Sequence, residues 1–486
     1  MSFTGWAGNG LIALSWERNE LATLDFGHKR RNDRAIYILE HLVKCPDSTP
    51  QAFADNAALE ATYRFANSEH TAPEVIMSAH RDATLRRIQD GDTVATIQDT
   101  TVIDLTKPTL QVSGAGVLET NSSCGYFWHP LYAVRENGIP LGIVDQVQWI
   151  REKIEKDKTS KQRAKDRRVT DFSLKESSRW LEMFQSSEQL AMLHPNTQFV
   201  HVADSECDIH EIYLEKEGQA PNHHFIIRGA SDREVVSDES DEPQKLSTLL
   251  SKLSVLYEEV VDVGDREALI SGETRARRQA RPARQAVVSV RAKTITLQGP
   301  RRPGERLPDV ELNVVEAVEL SPPEDEEAIR WVLITSLPIN ELHEIRRIIE
   351  LYKKRWQVEV LFKTLKSGMR IEKLKYESLS ALQTIAALMY IAAFRVEELK
   401  MAARVAPEAP CSEYVSAAEW KALYMVRKKT RKLPDKPPTM AEFILMVAQA
   451  GGYSHRPGRS LRLRNPQRGL QKMEAYRDVY LTIFNE

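Results

Sequence analysis

The sequence predicts an α/β protein: a mixed sheet with a β-rich insertion, flanked by an all-α N-terminal domain and an α-helical C-terminal region. Three observations predict it. Residues 10–90 carry helical patterning without strand alternation. From Val94 to Ser336, runs of β-branched and aromatic residues recur around a single long helical pattern. From Ile339 onward helical patterning returns and holds to the end.

The elements follow in order. "RRNDRAIYILEHLV" (30–43) and "NAALEATYRFAN" (56–67) read as helices, and Pro46 and Pro50 break the chain between them. "VATIQDTTVIDLT" (94–106) is a strand of β-branched residues, and 126–150 form a hairpin around Glu136-Asn137-Gly138. "KESSRWLEMFQSSEQLAML" (175–193) is a helix, "TQFVHVADSE" (197–206) a buried strand, and "HFIIR" (224–228) another. A strand-rich, charged stretch runs to about residue 320, and "RWVLITS" (330–336) is a further buried strand. A sheet entered through an antiparallel meander and flanked by helices is a core of the ribonuclease-H kind, with 229–328 as an insertion. The expected domain bounds are 1–80, 81–380 and 381–486.

Composition narrows the function classes. The chain has 486 residues, 42% hydrophobic and 28% charged, which is soluble and globular rather than disordered. No basic segment precedes an apolar run at the N-terminus, so no signal peptide is expected. The most apolar run, "ALQTIAALMYIAAF" (381–394), is too short to span a bilayer and predicts a buried helix, so no membrane partner is expected. Four cysteines without C-x-x-C spacing suggest a reducing, cytoplasmic setting and no zinc site. The net charge of −2 argues against a nucleic-acid partner, but its distribution argues for one: residues 271–302 hold nine Lys/Arg against one Glu.

Three carboxylates stand out. Asp99 closes "ATIQ" and Asp204 closes "FVHVA", and an anion at the end of a buried strand is costly unless paired or metal-bound. Each alone also suits a turn, through an Asx-type hydrogen bond. The third is Glu359, in "LYKKRWQVEVLFKTLKSG" (351–368), read as one amphipathic helix. At about 100° per residue, Tyr352, Arg355, Glu359 and Lys366 share roughly a 60° stripe beside the apolar face. Hard oxygen ligands of this kind suit Mg²⁺, with Mn²⁺ able to substitute; two such ions assist in-line displacement at phosphorus.

The run Tyr352-x2-Arg355-x3-Glu359-x6-Lys366 resembles the Y-R-E-K signature of the bacterial insertion-sequence-four family of DDE transposases. "QDTTVIDLT", "VADSECDIH", "KESSRWL" and "RWVLITS" resemble its neighbouring blocks in the same order. "LDFGHKRRNDRAIYILEHL" and "ATYRFAN" look like its DNA-end-binding domain, and "PTMAEFILMVAQAGGY" (438–453) like its C-terminal dimerisation region. The resemblance implies a metal-dependent transposase acting on double-stranded DNA, both terminal inverted repeats and target, as a homodimer on DNA in the cytoplasm at the nucleoid. It implies excision through a DNA hairpin, followed by strand transfer. Asp99, Asp204 and Glu359 would hold two metal ions per active site. Tyr352, Arg355 and Lys366 would grip the backbone, Trp331 would fill the gap left by a flipped base, and Trp356 is a weaker stacking candidate. Arg228 would hold the hairpin, while Arg31 and Arg34 fit the end-recognition helix. The family usually has Gly-Asp before the basic pair, where this chain has Gly27-His28. A structure-specific nuclease without strand transfer, or a domesticated DNA-binding repressor, are the alternatives. The apolar "FILMVAQAGGY" (443–453) is expected to serve a subunit contact.

Overall fold

The computed structural model describes residues 15–44, 53, 55–106, 112–118, 122–152, 162, 172, 175–218, 220–237, 240–264, 282–302, 305–324, 326, 328–453 and 464–484. The prolines between the first two helices, the first fourteen residues and 271–281 of the basic stretch lie outside the described residues. The chain forms two compact units, one of residues 1–157 with 356–486 and the other of 158–355.

In the first unit, helices α1 (Trp16–Glu20), α2 (Lys29–Lys44), α3 (Asn56–Ala66) and α4 (Pro73–Arg87) lead into strands β1 (Thr93–Gln98) and β2 (Thr101–Asp104). A two-residue strand, β3 (Gly116–Val117), precedes the long hairpin β4 (Cys124–Arg135) and β5 (Pro140–Trp149), which turns through Gly138 at φ +94°. Both β1 and β2 pair with one edge of β4 in a single continuing register, Gln98 opposite Leu131 and Thr101 opposite Trp128. The strand expected over 94–106 is thus one line interrupted at Asp99-Thr100. On the other edge of β4 lies β5, completing the antiparallel meander.

After Arg355 this unit resumes with α9 (Trp356–Lys363), α10 (Leu379–Val405), α11 (Ala417–Lys428), α12 (Met440–Ala450) and α13 (Arg464–Phe484). Helix α10 starts at the Ser378 cap, whose hydroxyl accepts the Ala381 amide at 3.2 Å. Its length and apolarity would suffice to cross a membrane, yet 89% of its most apolar window is buried inside the fold. Around it pack α2, α3, α4 and α12. Buried charges join the first helix to the last: Arg477 on α13 reaches Glu474 at 2.5 Å and Glu17 at 3.7 Å.

One expectation is overturned here. The apolar segment 443–453 is not a free surface: Met440, Phe443, Met446, Val447 and Ala450 of α12 are buried against Leu399, Trp420, Leu423, Leu470 and Met473 of the same chain. An apolar stripe at helical spacing satisfies a subunit contact and an internal core equally well, and the neighbouring helices cover it first.

The second unit is a mixed sheet. Strands β6 (Gln198–Ala203) and β7 (His223–Arg228) are parallel, and β15 (Arg330–Thr335), β14 (Val310–Glu319) and β11 (Arg284–Leu297) continue antiparallel from β7. Strands β8 (Glu234–Ser237), β9 (Ser240–Lys245) and β10 (Tyr257–Val263) extend it at β11, and β12 (Arg301–Arg302) and β13 (Glu305–Arg306) form a small separate hairpin. The residues read as an insertion therefore add strands to the sheet, because β14 pairs along β15. Helices α5 (Ser178–Leu193), α6 (His210–Leu214) and α7 (Leu246–Lys252) cover one core, in which Trp180, Phe184, Tyr213, Leu249, Phe225 and Leu312 pack together. Helix α8 (Leu342–Lys353) follows β15. The fold is of the mixed α/β class expected, with a large mixed sheet and helical N- and C-terminal regions.

Candidate functional site

Within the second unit, five of the expected site residues gather. Asp204 follows β6 and caps the turn Ser205–Cys207: its Oδ1 accepts the Glu206 amide at 2.9 Å. The Asx-type turn is therefore real, and it orients the carboxylate. Arg228 ends β7, exposed, and donates to the Arg330 carbonyl at 3.2 Å, in register with Leu333 of β15. Trp331, half-buried beside Arg330, meets the Tyr352 ring edge-on with centroids 5.7 Å apart. Tyr352, in the last turn of α8, is only 5% exposed. Burial pushes its phenol above the ordinary range, while Arg355 and Arg228 oppose the rise and Asp204 adds to it. The Arg355 guanidinium is the strongest of the groups that favour the phenolate. A neutral hydroxyl thus sits among two guanidiniums, one carboxylate and an indole.

The single helix expected over 351–368 is not formed. Lys354 and Arg355 bond back three residues, to the Leu351 carbonyl at 3.1 Å and the Tyr352 carbonyl at 2.9 Å, so α8 tightens and ends. Helix α9 restarts at Trp356, and Thr364–Gly368 form a π turn closed by the Met369 amide on the Thr364 carbonyl at 2.8 Å. A uniform 100° step fails at both places, so the stretch is not one regular α-helix, and Tyr352 is buried rather than exposed on a polar face. Trp356 is 58% exposed.

The first unit holds the remaining expected residues. Asp99 lies in the interruption between β1 and β2, where its Oδ1 accepts the Thr100 amide at 2.7 Å. Glu359, half-buried, stands in the first turn of α9, where the helix dipole favours an acid. Lys366 lies in the π turn; burial lowers its ammonium's pKa, and Glu372 and Asp104 oppose the fall. Its Nζ is 3.9 Å from Glu372 Oε1, which also accepts the Asp104 amide at 3.3 Å. These two acids went unnoticed in the sequence, since Glu372 lies past the helical pattern and Asp104 belongs to a strand far away along the chain.

The N-terminal arginines lie where basic side chains are least favoured by the helix itself. Lys29, Arg30 and Arg31 open α2, whose first turn holds no acid. Anions are favoured at such an end. Asn32 Oδ1 accepts the Phe26 amide at 2.9 Å and His28 Nδ1 accepts the Arg30 amide at 3.1 Å, fixing the turn through Gly27 at φ +71°. His28 thus caps the helix where an aspartate is usual in the resembling family. Arg31 donates to the Phe26 carbonyl at 3.1 Å, and Arg34 lies 5.0 Å from the Tyr37 ring centroid.

Metal fit follows from the donor set. Within each unit, no three His, Cys, Asp or Glu side chains cluster to hold a metal ion among the described residues. The expected triad draws Asp204 from one unit and Asp99 and Glu359 from the other. All three offer hard oxygens, and a backbone amide orients one oxygen of each aspartate, so the residues suit a divalent ion.

In the second unit, Arg228, Tyr352 and Arg355 thus stand near the Asp204 carboxylate, with Trp331 on the Tyr352 ring. Residues 146–395 match the family described as "Transposase DDE domain", and residues 13–71 match "Transposase DNA-binding". The first match spans more than half of the chain, and this protein belongs to the DDE transposase family. It is a DNA transposase, an enzyme of DNA cutting and strand transfer. Asp204, Arg228, Trp331, Tyr352, Arg355, Glu359 and Lys366 fall inside the catalytic match and Arg31 and Arg34 inside the DNA-binding one, while Asp99 precedes the catalytic match. Among solved structures, the chain is similar to a piggyBac transposase in a synaptic complex with hairpin DNA, at 8% identity and a TM-score of 0.38, over 96% of this chain and 78% of that one. That likeness is too distant to bear on individual residues.

Proposed function

We propose that this transposase is a cut-and-paste enzyme of the insertion-sequence-four type, which binds terminal inverted repeats through α2 and excises its element through hairpin ends before strand transfer. The observation that carries the reading is the gathering of Arg228, Trp331, Tyr352 and Arg355 around Asp204. Asp99, Asp204 and Glu359 would hold Mg²⁺, or Mn²⁺ in its place. Two ions bound there supply Lewis-acid charge at the phosphorus and lower the pKa of an attacking water.

The chain's own groups set the geometry. Arg355, oriented by the Tyr352 phenol, takes a phosphate through a planar fork that a lysine cannot copy. Arg228 offers a second guanidinium beside it, and Lys366 gives a point charge on its π turn. Trp331, half-buried and T-shaped against Tyr352, offers aromatic surface for a base drawn out of the stack, a contact worth about 1–3 kcal/mol. At the other functional region, Arg31 and Arg34 on α2 contact the repeat. The protein works as a homodimer on paired ends, at the nucleoid in the cytoplasm; the resemblance alone supports the dimer, since α12 is internal.

Hairpin formation tests the reading. Purified protein is incubated with Mg²⁺ and DNA carrying the repeats that flank its gene, and the products are run on denaturing gels. Covalently closed ends of doubled strand length are expected, with two chains per pair of ends by sedimentation. Nicked products that never close would favour a nuclease, and uncut but shifted DNA a repressor.

A further inference from the structure

Beside Asp99, two buried polar side chains and one half-buried one form a hydrogen-bonded chain for which DNA cutting as described above has no role. Thr100 Oγ1 lies 2.7 Å from His129 Nδ1, and His129 Nε2 lies 2.8 Å from Gln98 Oε1. His129 and Gln98 are both 0% exposed. Since an amide oxygen only accepts, Nε2 carries the ring proton, and the neutral imidazole takes the Thr100 hydroxyl hydrogen at Nδ1. At the near end, the Thr100 amide donates to Asp99 Oδ1 at 2.7 Å.

The backbone explains why such a chain is needed. The β1–β2 line loses its ladder at Asp99 and Thr100, and the register on either side places Pro130 and His129 opposite them. Proline brings no amide hydrogen to a sheet. With the backbone ladder interrupted, the side chains of β4 are left to hold this stretch. His129 is backed by Trp149, ring centroids 6.4 Å apart, and Trp149 in turn stacks on Phe127 at 5.1 Å. The imidazole therefore has little room to turn.

From this geometry we infer that Thr100 and His129 are positioning residues for Asp99: the Gln98–His129–Thr100 chain fixes the carboxylate in the orientation that binds a divalent ion. The inference rests on the reading of Asp99 as a metal ligand. Outer groups that orient a ligand typically change metal affinity by 10- to 100-fold when removed, without touching the ion.

Mn²⁺ binding to the full-length protein, read from the free-ion paramagnetic resonance signal, tests it alongside thermal melting. Thr100→Val, close in shape but without the hydroxyl, is expected to stay folded, with a melting midpoint lowered by the unpaired buried imidazole nitrogen, and to weaken Mn²⁺ binding by about tenfold. Thr100→Ser restores the donor and is expected to bind within about twofold of wild type. His129→Asn, which keeps an acceptor near the Nδ1 position, should lose less than His129→Leu. Wild-type Mn²⁺ affinity in folded Thr100→Val overturns the inference, as does equal loss in Thr100→Val and Thr100→Ser. If Thr100→Val does not fold, Gln98→Met, which releases the far end of the chain, carries the same two outcomes. Asp99→Ala separates the two claims: if it binds Mn²⁺ like wild type, the metal-ligand reading fails and the inference with it. If Asp99→Ala loses binding while Thr100→Val keeps it, the inference alone fails.

Discussion

Replacing Tyr352 with phenylalanine removes one oxygen from the centre of the second unit's site and nothing else. The ring stays, because its edge contact with Trp331 and its 5% exposure depend on carbon surface. What goes is the hydroxyl that the Arg355 guanidinium acts on electrostatically. A hydrogen bond made between the two when Arg355 takes a phosphate would be worth about 1.5–3 kcal/mol. If that energy orients Arg355 for the cut phosphate, its loss at about 1.36 kcal/mol per tenfold slows cleavage by about 10- to 150-fold. Affinity for the repeat, set mainly by other Lys and Arg contacts, should change by less than about threefold. The assay is single-turnover cleavage of a repeat-end duplex, with a gel shift on the same samples. Arg355→Lys should show a comparable defect, since an ammonium lacks the fork. Cleavage within twofold of wild type, or a loss matched by an equal loss in end binding, would refute the role given to the pair.

Two predictions concern the fold. Phe443→Ala should destabilise the chain by about 3–5 kcal/mol in chemical denaturation, as expected for emptying a buried aromatic site; unchanged stability with a weakened dimer would return α12 to the subunit surface. Burial pushes the His223 imidazole down to about 3, beside the Ser187 hydroxyl at 3.0 Å. The unfolded chain binds that proton near 6.5, so stability is full above about pH 6.5 and falls by roughly 1.4 kcal/mol per pH unit down to about pH 3. His223→Gln should flatten this acid slope in denaturation curves at pH 7.5 and 4.5, and an unaltered slope would assign it to other groups.

Local pattern made much of this legible. The strand-end positions of Asp99 and Asp204, the hairpin through Gly138 and the burial of α10 all follow from residue type and short-range periodicity. Three features did not, because each depends on contacts distant in sequence or on a change of helical pitch. The wheel drawn over 351–368 assumed one pitch, and the tightening at Lys354-Arg355 and the π turn at Thr364 break it. The strands within 229–328 were legible as β-rich, but nothing local says that β14 will pair along β15 and so join the sheet. His129 was passed over because its partners Gln98 and Thr100 lie on another strand, some thirty residues back. Arg228 and Trp331 came from family resemblance and Arg355 from helical spacing, and the structure brings them together around Tyr352.

The central claim is that Asp99, Asp204 and Glu359 form one metal-dependent centre for cutting DNA. It is tested most directly by quantifying nicking at a repeat end in Mg²⁺ for Asp99→Ala, Asp204→Ala and Glu359→Ala, each first shown to shift the same DNA. Metal ligands serve the chemistry, whereas affinity comes from contacts to phosphate. The account predicts end binding close to wild type in all three variants and nicking in none. Wild-type nicking by any one of them would remove that residue from the centre and contradict the account.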